Sequence, residues 1–313
     1  MSATQESIID SSGQKLLLVT EKNTRWKKVV AKNDYAAIPI GAGSGGKRHP
    51  LSLNAMKLLM IAIAQCGKDD KEFYHYSIRI SEIAKLFRIS PTNLYKNAVD
   101  LSSEVFSAVL YQSLIDDKDP NGYHKDVHIF DSFEYHPKLG YIDFQLSRSM
   151  EKYFLEVGRN FFSIGLFAYM SMRSTYSIIL WNYLRAAVKK NRIWGKKPEK
   201  VEMSLQQLRM MTGTEDKFKM TADLRRNVID VAVSDINSFC HVDVRYETVK
   251  EGRRITGFRF LIESEKNAEI REFPKEFVEK TRLKALLLYQ KQRPLTVQES
   301  QDLEAYRKKY PEI

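Results

Sequence analysis

The sequence predicts an α+β, mainly α fold built from two tandem winged helix-turn-helix domains, and three observations carry that prediction. Residues 174–262 order their patterns as helix, helix, turn, helix and hairpin. Residues 35–155 run through a similar order with different residues. Between two helical patterns of the later segment stands Gly213, where a left-handed residue can end one helix and turn the chain into the next.

The later segment is the clearer one. Ser174 can cap a helix in which Tyr176, Ile179, Leu180, Tyr183, Leu184, Ala187 and Val188 recur at helical spacing. A basic loop, NRIWGKKPEK, leads to MSLQQLRMMTG, where Ser204 and Gln207 form a capping box and Leu205, Leu208 and Met211 the apolar side. In the next helix Leu224, Val228, Val231 and Ala232 share a face that continues to Ile236. The alternation in VDVRYETVKEGRRITGFRFLI, on either side of Lys250 to Arg253, reads as a β-hairpin.

In the earlier segment LSLNAMKLLMIAIAQ is a buried helix, HYSIRI is strand-like, and SEIAKLF is a short helix capped by Ser81. Ser90-Pro91 opens a helix with Leu94, Ala98, Leu101 and Val105 on one face. IFDSFEYHPKLGYIDFQL forms two alternating runs about a turn. The expected organisation is a flexible basic arm over 1–33, winged-helix domains over 34–158 and 159–264, and a helical tail over 265–313.

The chain has 313 residues, 43% hydrophobic and 28% charged, with 50 Lys+Arg against 39 Asp+Glu and a net charge of +11. That balance favours a polyanionic partner, nucleic acid before an anionic membrane surface. No stretch approaches the ~18 apolar residues of a spanning helix, and MSATQESIIDSSGQK lacks the pattern of a secretory signal. Cys66 and Cys240 read as buried free thiols in a reducing compartment, so a cytoplasmic, DNA-associated protein is expected.

In a helix-turn-helix the second helix enters the major groove and its N-terminal residues reach base edges. At about 100° per residue, Arg226 points away from core-facing Leu224, with Arg225 and Asn227 beside it. Arg can read guanine and Asn adenine in bidentate fashion. Lys217, Lys219 and Thr221 sit at the helix entry, where phosphates meet the positive end of the dipole. Lys250, Arg253 and Arg254 form the hairpin tip, a wing over neighbouring backbone. In the first domain the same geometry selects Thr92 and Lys96, flanked by Asn93 and Tyr95, with Arg88 in the turn. The competing reading is a solvated face in which these arginines pair with Asp223, Asp230 and Glu251.

GAGSGGKR, Gly41 to Arg48, fits a phosphate-binding loop by spacing. However, Arg48 stands where a magnesium-binding hydroxyl is needed, and His49-Pro50 prevents a helix from starting, so a flexible glycine loop is expected. His124 and His128 in HKDVH suit an exposed loop better than a metal pair, and no Cys/His or acidic cluster suits zinc or a two-metal nuclease. No catalytic site, cofactor or metal is expected; the sequence reads as a non-enzyme.

SMRSTYSIILWNYL, MSLQQLRMMTG, FKMTADLRRNVIDVAVSDIN and VDVRYETVKEGRRITGFRF together resemble the initiator replication proteins of iteron-containing plasmids. The resemblance runs from Asp34 to Glu263 and is most specific between Ser174 and Ile262. Trp181, Ile178 or Ile179, and Phe218 depart from residues frequent in that family. The resemblance implies binding to direct repeats at a plasmid origin, opening of adjacent DNA, and recruitment of the host initiator and helicase. It also implies dimers, formed through the first domain, that repress the protein's own promoter. It places the second recognition helix at Arg225 and Arg226 and the first at Pro91 to Lys96. A winged-helix transcriptional regulator would share every DNA-binding feature without opening an origin. An NTP-driven enzyme would need the glycine loop.

Overall fold

The computed structural model describes residues 7–9, 15–18, 28–44, 47–66, 70–87, 89–112, 126–157, 160–188, 198–264, 290 and 297–311. Strands β1 (Ser7–Ile9), β2 (Lys15–Leu18) and β3 (Lys28–Lys32) precede the single-turn helix α1 (Asn33–Ala36). Strands β4 (Ile40–Ser44) and β5 (Lys47–His49) lead to α2 (Leu53–Ile63), β6 (Tyr76–Arg79), α3 (Ile80–Phe87) and α4 (Pro91–Phe106). Next come β7 (Ala108–Tyr111), β8 (Asp126–His128), β9 (Phe130–His136), β10 (Tyr141–Leu146) and α5 (Glu151–Phe154). The second half holds β11 (Phe161–Gly165), α6 (Leu166–Ser171), α7 (Thr175–Ala187), β12 (Glu199–Ser204) and α8 (Leu205–Thr212). Thr221–Leu224, a π-helical turn Arg225–Ile229 and Asp230–Phe239 run on as one helix, α9, before β13 (Val242–Glu251) and β14 (Arg254–Ser264). Helix α10 (Val297–Lys309) belongs to a separate unit covering 265–313.

Two helix-turn-helix units with β-wings emerge. In the first, α3 and α4 are followed by the β9–β10 hairpin, paired from Tyr141↔His136 to Leu146↔Phe130. That hairpin lies in a sheet ordered β1-β2-β6-β10-β9, and a second sheet runs β5-β4-β7-β8. Leu94, Ala98, Leu101 and Val105 are buried on α4, the expected face. In the second unit, α8 and α9 are followed by β13 and β14, to which β12 adds a third strand. The sequence reading placed Glu199 and Lys200 in a basic loop. Val201 and Met203 are buried between exposed neighbours, the period-2 pattern that makes this segment a strand.

Several expectations are corrected. Residues 28–32, assigned to a flexible arm, pair antiparallel with β11, and Val29 and Ala31 are fully buried. Val29 and Ala31, two residues apart in the apolar run of KVVAK, supply that buried face. Ser81 is not a cap, because α3 already begins at Ile80. Helix α7 buries Ser177, Ile178, Trp181 and Asn182 as well as Ile179, Leu180 and Leu184, and leaves Ala187 exposed. A helix buried on most sides is a central helix, and α7 packs against α9, α1 and β11 together.

Gly41 to Arg48 is not a flexible loop either. Its described residues form the β4–β5 hairpin, and β4 is also paired with β7, so its backbone groups belong to ladders rather than to a phosphate cradle. Glycine is required at 41 by packing: a Cβ there would lie 2.6 Å from the His49 carbonyl oxygen.

Ties between the two halves are specific. The nearly buried Lys57 of α2 donates to the Met170 carbonyl at 2.8 Å, at the C-terminal end of α6 where a cation meets unpaired carbonyls. Thr175 Oγ1 donates to the Leu51 carbonyl at 3.2 Å. Arg48 pairs with Glu215 at 2.5 Å, across from β5 to the turn after α8.

Candidate nucleic-acid interface

The turn between α8 and α9 shapes the site. Ser204 Oγ caps α8 by accepting from Gln207 N at 3.0 Å. The expected capping box is only half formed, since Gln207 Nε2 donates to the Tyr183 hydroxyl at 3.0 Å instead. Gly213 ends α8 in the left-handed region, φ 63°. A Cβ at Gly213 would lie 2.8 Å from Pro50 Cγ, so close packing by the first domain also requires glycine here. Beyond it, Thr214 is fully buried with its hydroxyl 2.8 Å from that of Thr212. Phe218 takes φ 50°, rare for a bulky residue, and its ring stands edge-on to Tyr176.

Lys217 and Lys219 are exposed on either side of Phe218. Lys219 and Thr221 line an open groove of about 580 Å³ together with Arg209, Arg253, Arg254 and Glu215. The groove thus joins the entry of α9 to the wing tip, and Arg48 pairs with its acidic residue, Glu215. Met220 occupies the N-cap of α9 without a side-chain cap and is 68% exposed. The first N–H groups of α9 are therefore left without a side-chain cap next to the groove-lining Thr221, and an uncapped helix start favours an anion.

The π turn sets the phase of α9. Leu224, Val228, Ala232 and Ile236 are all fully buried, a spacing of four residues kept over three turns. In a regular α-helix that spacing would drift by about 120°. One extra residue in the π turn absorbs the drift and keeps all four on the core. Val231, expected in the core, is only half-buried, and fully buried Ile229 takes part of its role. Arg225, Arg226 and Asn227 lie within this turn, and all three are exposed.

Both readings of the arginines have a share in the geometry. Arg226 Nη2 sits 2.6 Å from Asp223 Oδ1, yet its side chain stays 74% exposed. Such surface pairs are worth about 0–1 kcal/mol, small enough to be exchanged for a base or phosphate. Asn227 Nδ2 donates one N–H to the Asp223 carbonyl at 2.8 Å, which leaves its second N–H and Oδ1, the pair that a bidentate contact to adenine uses. Asp230 accepts from the Tyr246 hydroxyl at 2.5 Å. Burial and this bond push the Tyr246 phenol up to about 12. Lys250, Arg253 and Arg254 are exposed at the wing tip, where a register shift after Val249 marks a bulge.

Thr92, Asn93, Tyr95 and Lys96 are exposed at the start of α4, while Arg88 lies outside the described residues. Tyr95 lies close to the turn of the first wing: a Cβ at Gly140 would be 2.9 Å from its hydroxyl. Farther along, α4 exposes Val99, Asp100, Ser103 and Phe106, so its polar, non-acidic side chains are concentrated in the first two turns.

Residues 45–185 match the family model described as "Initiator Replication protein, WH1", and residues 204–262 match "Initiator Rep protein, WH2". The chain belongs to the plasmid replication initiator family. The first match extends through most of α7, the central helix joined to both halves. The crystal structure of the Pi initiator protein in complex with iteron DNA shares the fold, with a TM-score of 0.58 at 20% identity. That match covers 77% of this chain and 99% of the other. Domains 2 and 3 of RctB align at a TM-score of 0.40 and 10% identity, over 73% of this chain and 91% of theirs. No curated protein sequence matches.

Three structural residues of this initiator had no role assigned from its sequence: Asp235 and Asn237, at the two ends of the DIN stretch that contributes to the resemblance, and Arg209. Asp235 is fully buried in α9; it accepts from Arg173 N (2.8 Å), Arg173 Nε (2.7 Å) and the Ser177 hydroxyl (2.7 Å). Asn237 pairs like a strand residue with Val244, donating to its carbonyl at 3.0 Å and accepting from its amide at 2.7 Å. "DIN" therefore ties α9 to the start of α7 through Asp235 and to the wing through Asn237. Arg209 holds the turn itself. Its position in the last turn of a helix before a glycine was the only signal available. Among the described residues no group of three or more His, Cys, Asp or Glu could hold a metal ion, and no helix is long and apolar enough to cross a membrane. His124 of HKDVH lies outside the described residues.

Proposed function

We propose that this initiator binds double-stranded DNA at direct repeats of a plasmid origin, reading bases with Arg225, Arg226 and Asn227. Lys217, Lys219, Thr221 and the wing residues Lys250, Arg253 and Arg254 contact the backbone. The first domain adds Thr92, Asn93, Tyr95 and Lys96, which position the protein more than they specify sequence. The observation that carries this reading is the cationic groove between the uncapped start of α9 and the wing tip. The Pi initiator, which shares the fold, was crystallised with iteron DNA.

Binding at repeats opens an adjacent A·T-rich segment and recruits the host initiator and helicase. Dimers formed through the first domain repress the initiator's own promoter, and the protein works in the bacterial cytoplasm. Opening separates an initiator from a transcriptional regulator. Permanganate reactivity of thymines beside the protected repeats, dependent on the protein, supports initiation. Protection without any reactive thymine leaves only the regulator.

A further inference from the structure

Arg209 lies on α8, one turn before the helix ends. Its Nη1 donates to the carbonyls of Thr214 (2.9 Å) and Lys217 (2.7 Å), and its Nη2 to those of Phe218 (2.8 Å) and Lys219 (3.1 Å). All four terminal N–H groups of the guanidinium are thus directed at backbone, which leaves none of them for a phosphate. A planar fork can serve four carbonyls in this way; an ammonium, with three donors on one atom, cannot.

The anchored stretch is strained. Phe218 is left-handed at φ 50°, a conformation that persists only where its surroundings impose it. Two contacts do so: Arg209 on its carbonyl and Tyr176 against its ring. With Phe218 turned inward, the side chains of Lys217 and Lys219 are both exposed, and Lys219 enters the groove beside Arg253 and Arg254.

We propose that Arg209 is the positioning residue of the second recognition helix, acting on DNA through Lys217 and Lys219 rather than by touching it. The proposal rests on the DNA-binding reading above. It makes the turn a preformed phosphate contact, so its loss should weaken binding to any sequence alike.

The test compares the full chain with Arg209→Lys, with Lys217→Ala/Lys219→Ala, and with the triple variant. Binding to a random-sequence duplex is measured by fluorescence anisotropy from about 50 to 200 mM salt. Arg209→Lys, which keeps the charge, should weaken binding about ten-fold and lower the salt slope by about one to two, as the double lysine variant does. In the triple variant Arg209→Lys should add less than about two-fold, because residues acting as one unit are not additive. Amide exchange, read without DNA, should accelerate at 217–220 alone.

Unchanged affinity in Arg209→Lys, an additive loss in the triple variant, or faster exchange across the whole second domain would each overturn the proposal. A wild-type chain that fails to bind the duplex would overturn the interface reading itself, an outcome visible before any variant is measured.

Discussion

Replacing Asp235 with asparagine tests how α9 is fixed to the rest of the fold. Oδ2 accepts from the Arg173 amide and the Ser177 hydroxyl, and Oδ1 from Arg173 Nε, in a site from which water is excluded. An amide of the same shape keeps one acceptor oxygen and turns two donors toward donors. Its best orientation leaves the oxygen on Arg173 N and Ser177 and faces Arg173 Nε with an NH₂ group. The Arg173 side chain is 65% exposed and can swing into water, so no buried cation is stranded. The loss is then one charge-assisted bond and the weakening of two others, about 2–3 kcal/mol. Asp235→Ala leaves the Arg173 amide and the Ser177 hydroxyl without an acceptor and should cost about 3–5 kcal/mol. Urea unfolding followed by tryptophan fluorescence, with Trp181 buried in α7, reads both values. A loss below about 0.5 kcal/mol for Asp235→Asn, within the range of ordinary surface substitutions, would refute the reasoning.

Gly213→Ala should destabilise by about 2–4 kcal/mol, from left-handed strain and the 2.8 Å approach to Pro50. Pro50→Ala should relieve the second part, so the same unfolding assay should show a smaller Gly213→Ala cost in that background. Tyr246 contributes stability that is complete below its unfolded pKa near 10 and lost as pH rises through its folded value of about 12, because burial and Asp230 favour the neutral phenol. Tyr246→Phe should remove a tyrosinate component with that high midpoint from an ultraviolet titration and make alkaline loss of stability less steep. Lys219→Ala should weaken binding to repeat and scrambled duplexes equally and lower the salt slope by about one, as a phosphate contact must.

Much of the second winged helix was legible because each of its signals is local. The Ser204 cap, the Gly213 stop and the alternation about the wing all act within a few residues, and the structure keeps each of them. What escaped depends on distant partners. Strand β3 becomes visible only when β11, more than a hundred residues later, supplies its ladder. Helix α7 reads as amphipathic by spacing, but α9, α1 and β11 bury most of its other sides. The π turn was hidden for a subtler reason: a four-residue spacing of apolar positions looks helical over two turns, and only its persistence to Ile236 demands an extra residue. At the candidate interface the exposed basic residues were readable by type and offset. Arg209 was not, since its role consists of four backbone carbonyls brought to it by the turn.

Footprinting on the DNA flanking the initiator's own gene, with wild type and Arg226→Ala side by side, tests the central claim most directly. The account predicts protection of evenly spaced direct repeats by the wild type. In Arg226→Ala the protection should persist with relaxed base preference, worth about 1–3 kcal/mol at one position of the repeat. Protection of a promoter palindrome alone, or a variant indistinguishable from wild type at every base, would contradict it.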